Sequence, residues 1–143
     1  MDNAFQGYIE YFENISLDTV EKVRGIVTED FHFVDPFNNV HGVEKVIEIF
    51  KDMFNHLRNP KFVVSDTVID GDRMYIRWDF NFESNLLQGG PFHSIDGVSL
   101  IRKNNDGKII EHIDFWDAST QLYCKIPILG WFTRLVRKWF QVK

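Results

Sequence analysis

Between Arg73 and Glu83 the apolar residues Met74, Ile76, Trp78, Phe80 and Phe82 fall on every second position, with Arg77, Asp79, Asn81 and Glu83 between them. A period of two sustained this long is a β-strand with one dry face and one wet face. Five large side chains on one side must be covered by other parts of the chain, so the strand belongs to a sheet packed on one face only. The same period recurs around it, in β-rich segments at about 62–70, 92–103 and 108–117. Asp70-Gly71-Asp72 and Asn105-Asp106-Gly107 supply hairpin turns, and Gln88-Gly89-Gly90-Pro91 marks a longer loop.

Upstream the period is helical. Phe5, Tyr8, Ile9, Phe12 and Ile15 make one stripe, and Ser16 is a candidate N-cap for a second helix carrying Val20, Val23 and Val27. Phe31-His32-Phe33-Val34-Asp35, closed by Pro36, reads as a short strand. Beyond Gly42, Val46, Ile47, Phe50, Met53, Phe54 and Leu57 form a third helix that stops at Asn59-Pro60. Helices followed by a meander of strands predict an α+β layer fold. The length of 143 residues suits one hydrophobic core, and fourteen Phe supply it generously.

Charge narrows the function classes. Residues 118–143 hold five Lys or Arg and no acid, which leaves eleven basic against 21 acidic residues elsewhere, a body at −10. An acidic body argues against nucleic acid as a partner. Cys124 is the only cysteine and the N-terminus lacks the pattern of a signal peptide, so a cytoplasmic protein is expected. No apolar run reaches the length of a membrane span. The scattered histidines show no metal-ligand spacing and no phosphate-binding or dinucleotide motif is present, so neither metal nor cofactor is expected.

Phe33-Val34-Asp35-Pro36-Phe37 before Gly42, Ile95-Asp96-Gly97-Val98-Ser99, Asp106-Gly107-Lys108-Ile109 and His112-Ile113-Asp114-Phe115-Trp116-Asp117 resemble segments of the nuclear transport factor 2-like superfamily, in its SnoaL-like (polyketide cyclase) and ketosteroid isomerase-like branch. The resemblance implies a cone-shaped, curved antiparallel β-sheet wrapped around three N-terminal helices, a nuclear transport factor 2-like or cystatin-like architecture. Residues 1–119 would form that domain, with 120–143 a basic amphipathic C-terminal extension. It also implies a homodimer and an enclosed pocket for a small hydrophobic molecule. The superfamily hosts many reactions, so the fold does not choose one.

By the spacing that ketosteroid isomerases show, Asp35 before Pro36 is the candidate base, with Tyr11 and Asp96 as donors to the oxyanion. The chemistry asks for those types: a base removes a proton next to a carbonyl while neutral donors meet the charge that develops on oxygen. Helical geometry alone prefers Tyr8 to Tyr11 as the inward phenol. Tyr8, Phe33, Phe54, Trp78, Phe80 and Trp116 are the candidate substrate contacts. A turn-forming role for Asp35 and a structural hydrogen bond for Asp96 are the competing readings.

Two further readings stay open. Arg77 and Asp79, with Asp114 or Asp117, resemble the Asp-Arg-Asp set of limonene epoxide hydrolase-like members, although Arg77 and Asp79 lie on the polar strand face. A non-catalytic carrier or dimeric accessory protein would use the same pocket or sheet without chemistry. His112 and Asp114 share a strand face as a candidate orienting pair, for which a solvent or interface position is the commoner outcome. Trp131, Phe132, Leu135, Val136, Trp139 and Phe140 form the apolar stripe of a terminal helix, opposite Arg134, Arg137 and Lys138. That helix is expected over the pocket mouth or a dimer interface, with peripheral contact to an anionic membrane as the alternative.

Overall fold

The structure is a computed structural model that describes residues 3–142. Helix α1 (Asn3–Glu13) buries Phe5, Tyr8, Ile9, Tyr11 and Phe12. The second expected helix is a short 3₁₀ helix, Val20–Gly25, and the chain becomes strand β1 (Val27–Val34) straight after it. The reason lies in the spacing. Val20 and Val23 are three apart, which stacks them on one edge of a 3₁₀ turn, and both are fully buried. A run rich in Val and Thr gives an α-helix little to gain by extending further.

A short strand β2 (Asn39–His41) folds back on β1 after the Asp35-Pro36 turn. Helix α2 (Val43–His56) lays Val43, Val46, Ile47 and Phe50 on the core. It is entered through Gly42, whose φ of 108° is open only to glycine without strain. Leu57 closes the helix, with its N–H on the Met53 carbonyl, and β3 (Arg58–Asp70) begins at once. Strands β4 (Arg73–Glu83), β5 (Phe92–Lys103) and β6 (Ile109–Phe115) complete a sheet in the order β2-β1-β6-β5-β4-β3.

The meander β3 to β6 is antiparallel throughout, whereas β1 joins β6 in parallel. The register of β3 on β4 slips between Val64 and Asp66, a bulge that bends the sheet. Its concave side carries Met74, Ile76, Trp78, Phe80 and Phe82 of β4 with Ile95 and Ile101 of β5, and covers α1 and α2. Past Phe115 come a one-turn helix α3 (Ala118–Gln121), a 3₁₀ turn (Tyr123–Lys125) and helix α4 (Leu129–Phe140). Gln121 pairs both its amide groups with the backbone of Asp96, at 2.7 and 2.9 Å, where β5 has run past the end of β6. Among the described residues no helix is long and apolar enough to cross a membrane.

Candidate active site

The layers do not close on each other completely. Between the concave sheet, α1 and α2 lies a cavity of about 570 Å³, the size of many small-ligand sites. Its walls are mainly aromatic: Phe12, Phe33, Phe50, Phe62, Trp78 and Phe80, with Phe82 and Trp116. Exposed residues at its rim include Phe37, Asp52, His56 and Leu86. One glycine makes this wall possible. A Cβ on Gly97 would stand 2.7 Å from Trp78 Cζ2 and 2.8 Å from the Cβ of Trp116.

Polar side chains interrupt the apolar lining at the sheet: Ser99 from β5, His112 and Asp114 from β6, Asp35 and Asn38 in the turn after β1, and Ser84 just past β4. The first three belong to one hydrogen-bonded chain. Tyr8, fully buried on α1, has its hydroxyl 2.7 Å from His112 Nδ1. His112 Nε2 lies 2.5 Å from Asp114 Oδ1, and the Ser99 hydroxyl donates to the same oxygen at 2.5 Å. Trp78 Nε1–H donates to Ser99 Oγ at 2.8 Å.

The directions of these bonds follow from their ends. Burial, reinforced by the nearby Asp114 carboxylate and by Tyr11, pushes the Tyr8 hydroxyl well above the ordinary phenol range. A carboxylate oxygen only accepts, so His112 Nε2 carries the hydrogen toward Asp114, and in the neutral imidazole Nδ1 is then the acceptor for the Tyr8 hydroxyl. The indole N–H can only donate, so Ser99 accepts from Trp78 and gives its own proton to Asp114. Two donors thus converge on Asp114 Oδ1, while no described protein donor reaches Oδ2.

Asp35 lines the cavity but faces its own turn. Its Oδ1 accepts from the N–H groups of Phe37 and Asn38 at 2.8 and 2.7 Å, and Asn38 Nδ2 reaches both its oxygens. That is the turn-forming reading. Tyr11 does not line the cavity; its hydroxyl donates to the Val20 carbonyl at 2.8 Å and pins α1 to the 3₁₀ helix. Asp96 lies on the opposite, convex face, half-exposed and paired with Arg77 at 2.6 Å. The structure therefore does not bring Tyr11, Asp35 and Asp96 together. Ile95 and Ser99 occupy the inward parity of β5, which turns Asp96 outward.

Of the candidate substrate contacts, Phe33, Trp78, Phe80 and Trp116 line the cavity. Tyr8 stands behind His112, and Phe54 packs on the core outside the lining. The Arg77, Asp79 and Asp114 set is divided by the sheet, because Arg77 faces solvent beside Asp96 and only Asp114 reaches the cavity. No group of three or more His, Cys, Asp or Glu suited to a metal ion occurs among the described residues.

The curved sheet, its helices and the cavity define a protein of the nuclear transport factor 2-like class. Residues 8–112 match the model of the SnoaL-like domain, and the chain belongs to that family. No curated protein sequence matches it significantly. Solved structures share the fold. One is a protein with a ketosteroid isomerase-like fold from Catenulispora acidiphila, in complex with trimethylamine, at 12% identity and TM-score 0.73, covering 92% of this chain and 98% of that one. An NTF2-like protein of unknown function from Exiguobacterium sp. 255-15 is 21% identical, with TM-score 0.67, covering 80% and 98%. An LEH-like epoxide hydrolase from M. tuberculosis is 10% identical, with TM-score 0.65, covering 94% and 89%. At such identities the likeness carries the fold alone.

Proposed function

We propose that this protein binds a small hydrophobic carbonyl compound in its aromatic cavity and catalyses proton transfer at the carbon beside the carbonyl, as an isomerase or cyclase does. The observation that carries this reading is Asp114: a carboxyl group in an apolar cavity, held on one oxygen by His112 and Ser99, with no donor among the described residues on the other. In the reaction Asp114 Oδ2 takes a proton from the α-carbon, and the electron pair of the C–H bond moves onto the carbonyl oxygen as an enolate. Returning the proton to a different atom completes an isomerisation. Letting the enolate carbon attack a second carbonyl completes a ring closure.

The rest of the chain of bonds positions the base. Tyr8 and Trp78 hold His112 and Ser99 in place, and these two in turn orient Asp114. The aromatic walls suit a flat conjugated ligand.

Mass spectrometry of the ligand retained on purification, followed by its conversion by wild type and Asp114→Asn, tests the reading. The amide keeps an oxygen for both donors but cannot take the proton, so binding should persist while conversion falls by roughly 10²–10⁴. A ligand that both proteins bind and leave chemically unchanged would establish a carrier instead.

A further inference from the structure

Helix α4 packs on the 3₁₀ turn that precedes it, and the side turned to that turn is the polar one. Gly130 is buried so closely against the Cys124 carbonyl that a Cβ there would stand 2.6 Å from its oxygen. Thr133 and Arg137, at the same face, are its least exposed remaining residues. Arg134 donates to the Cys124 carbonyl at 2.7 Å and Arg137 reaches Cys124 Sγ at 3.6 Å. The apolar stripe, Trp131, Phe132, Leu135, Val136, Trp139 and Phe140, points outward, with Trp139 71% and Phe140 82% exposed. A contiguous aromatic surface of this kind needs a cover.

From this geometry we infer that α4 docks the protein on an anionic lipid surface, with its aromatic stripe lying in the headgroup boundary. Charge selects the occupant. The segment 118–143 carries five basic residues and no acid, and Lys138 stands exposed on the helix beside the apolar stripe. The remainder of the chain, at −10, is repelled by the same surface. The molecule is thus polarised to approach with α4 first. A second copy is the poorer cover, because a two-fold pairing of this face would set the two basic segments against each other without one acid in either to balance them.

The tail also roots at the rim of the cavity. Leu122 lines the cavity, and the Lys125 carbonyl accepts from the Gln88 N–H at 2.8 Å, next to Leu86 and Leu87, which line it too. Docking through α4 holds that rim beside the lipid, and, if the ligand-binding reading above is right, a membrane-dissolved hydrophobic ligand enters from there.

Co-sedimentation of the full chain with vesicles tests the docking itself, whatever the cavity binds. Vesicles of phosphatidylcholine with about one-third phosphatidylserine should bind the protein at low salt, and pure phosphatidylcholine far less. Binding should weaken steeply between about 0.05 and 0.5 M salt. Lys138→Gln should reduce partitioning about fivefold. The double variant Trp139→Ala, Phe140→Ala should reduce it by on the order of tenfold or more. Both changes are at exposed side chains, and an unchanged thermal midpoint would verify that the body is intact. Equal binding to both vesicle types, or no loss on removing the two aromatics, would overturn the inference. So would lipid-free self-association in sedimentation velocity that the double variant abolishes, since the cover would then be a second copy.

Discussion

Replacing Tyr8 with Phe removes one oxygen atom from a fully buried position and leaves every apolar contact of the ring in place. The loss is the hydrogen bond to His112 Nδ1, and His112 itself is buried. An unsatisfied buried acceptor costs about 1–3 kcal/mol. For a chain of this length that lowers the thermal midpoint by about 3–10 °C. The pH dependence carries a second signature. The Tyr8 pKa is raised, chiefly by burial and then by Asp114, so the folded state favours the protonated phenol. Its contribution is complete below the unfolded pKa, at about 10, and is lost as pH rises from there toward the higher folded value. Wild type should therefore lose stability above about pH 10 faster than Tyr8→Phe, and the gap between them should narrow. Thermal unfolding followed by circular dichroism from neutral to alkaline pH measures both effects. An unchanged midpoint at neutral pH would refute the Tyr8–His112 bond as a contribution to stability, and a gap that widens with alkali would refute the raised Tyr8 pKa.

Three other outcomes are expected. Gly97→Ala places a methyl against Trp78 and Trp116, and should cost about 1–3 kcal/mol in urea unfolding while reducing ligand affinity; full retention of both would mean that the wall yields freely. Asp96→Asn breaks only a half-exposed pair with Arg77 and should shift stability by under about 1 kcal/mol, with no change in turnover; a large kinetic loss would return Asp96 to the site. A homodimer through the convex face of the sheet, where Val68 and Tyr75 are exposed, is expected at micromolar concentration; a clean monomer by sedimentation would contradict it.

The sheet was legible because its strands obey a period of two. β4 alternates along its whole length, and the turns at Gly71 and Gly107 lie where the sequence puts them. The 3₁₀ helix and the early start of β1 were not, since Val20, Val23 and Val27 fit a helical stripe as well as they fit a tight turn running into a strand. The site was obscured by parity. On β6 the polar His112 and Asp114 point inward while Phe115, 56% exposed, points out, the inverse of the pattern that marks a buried face. β5 confuses the same test, because Val98 and Leu100 put apolar residues on its outer face beside Asp96. Pairing of β6 with Phe33 of β1 on one side and Ile101 of β5 on the other settles the orientation, and that pairing is a property of the fold. A strand with inverted polarity in a sheet packed on one face is the signal that would have found Asp114.

Exchange of α-carbon protons for solvent deuterium in a hydrophobic ketone such as β-tetralone, followed by NMR, reads the proposed proton transfer without requiring the natural substrate. The wild-type protein should speed exchange above the buffer rate. Asp114→Asn should remove roughly 10²–10⁴ of that acceleration, whereas Tyr11→Phe, which alters a contact to Val20 outside the cavity, should leave it in place. Exchange by Asp114→Asn at the wild-type rate would contradict the assignment of Asp114 as the base.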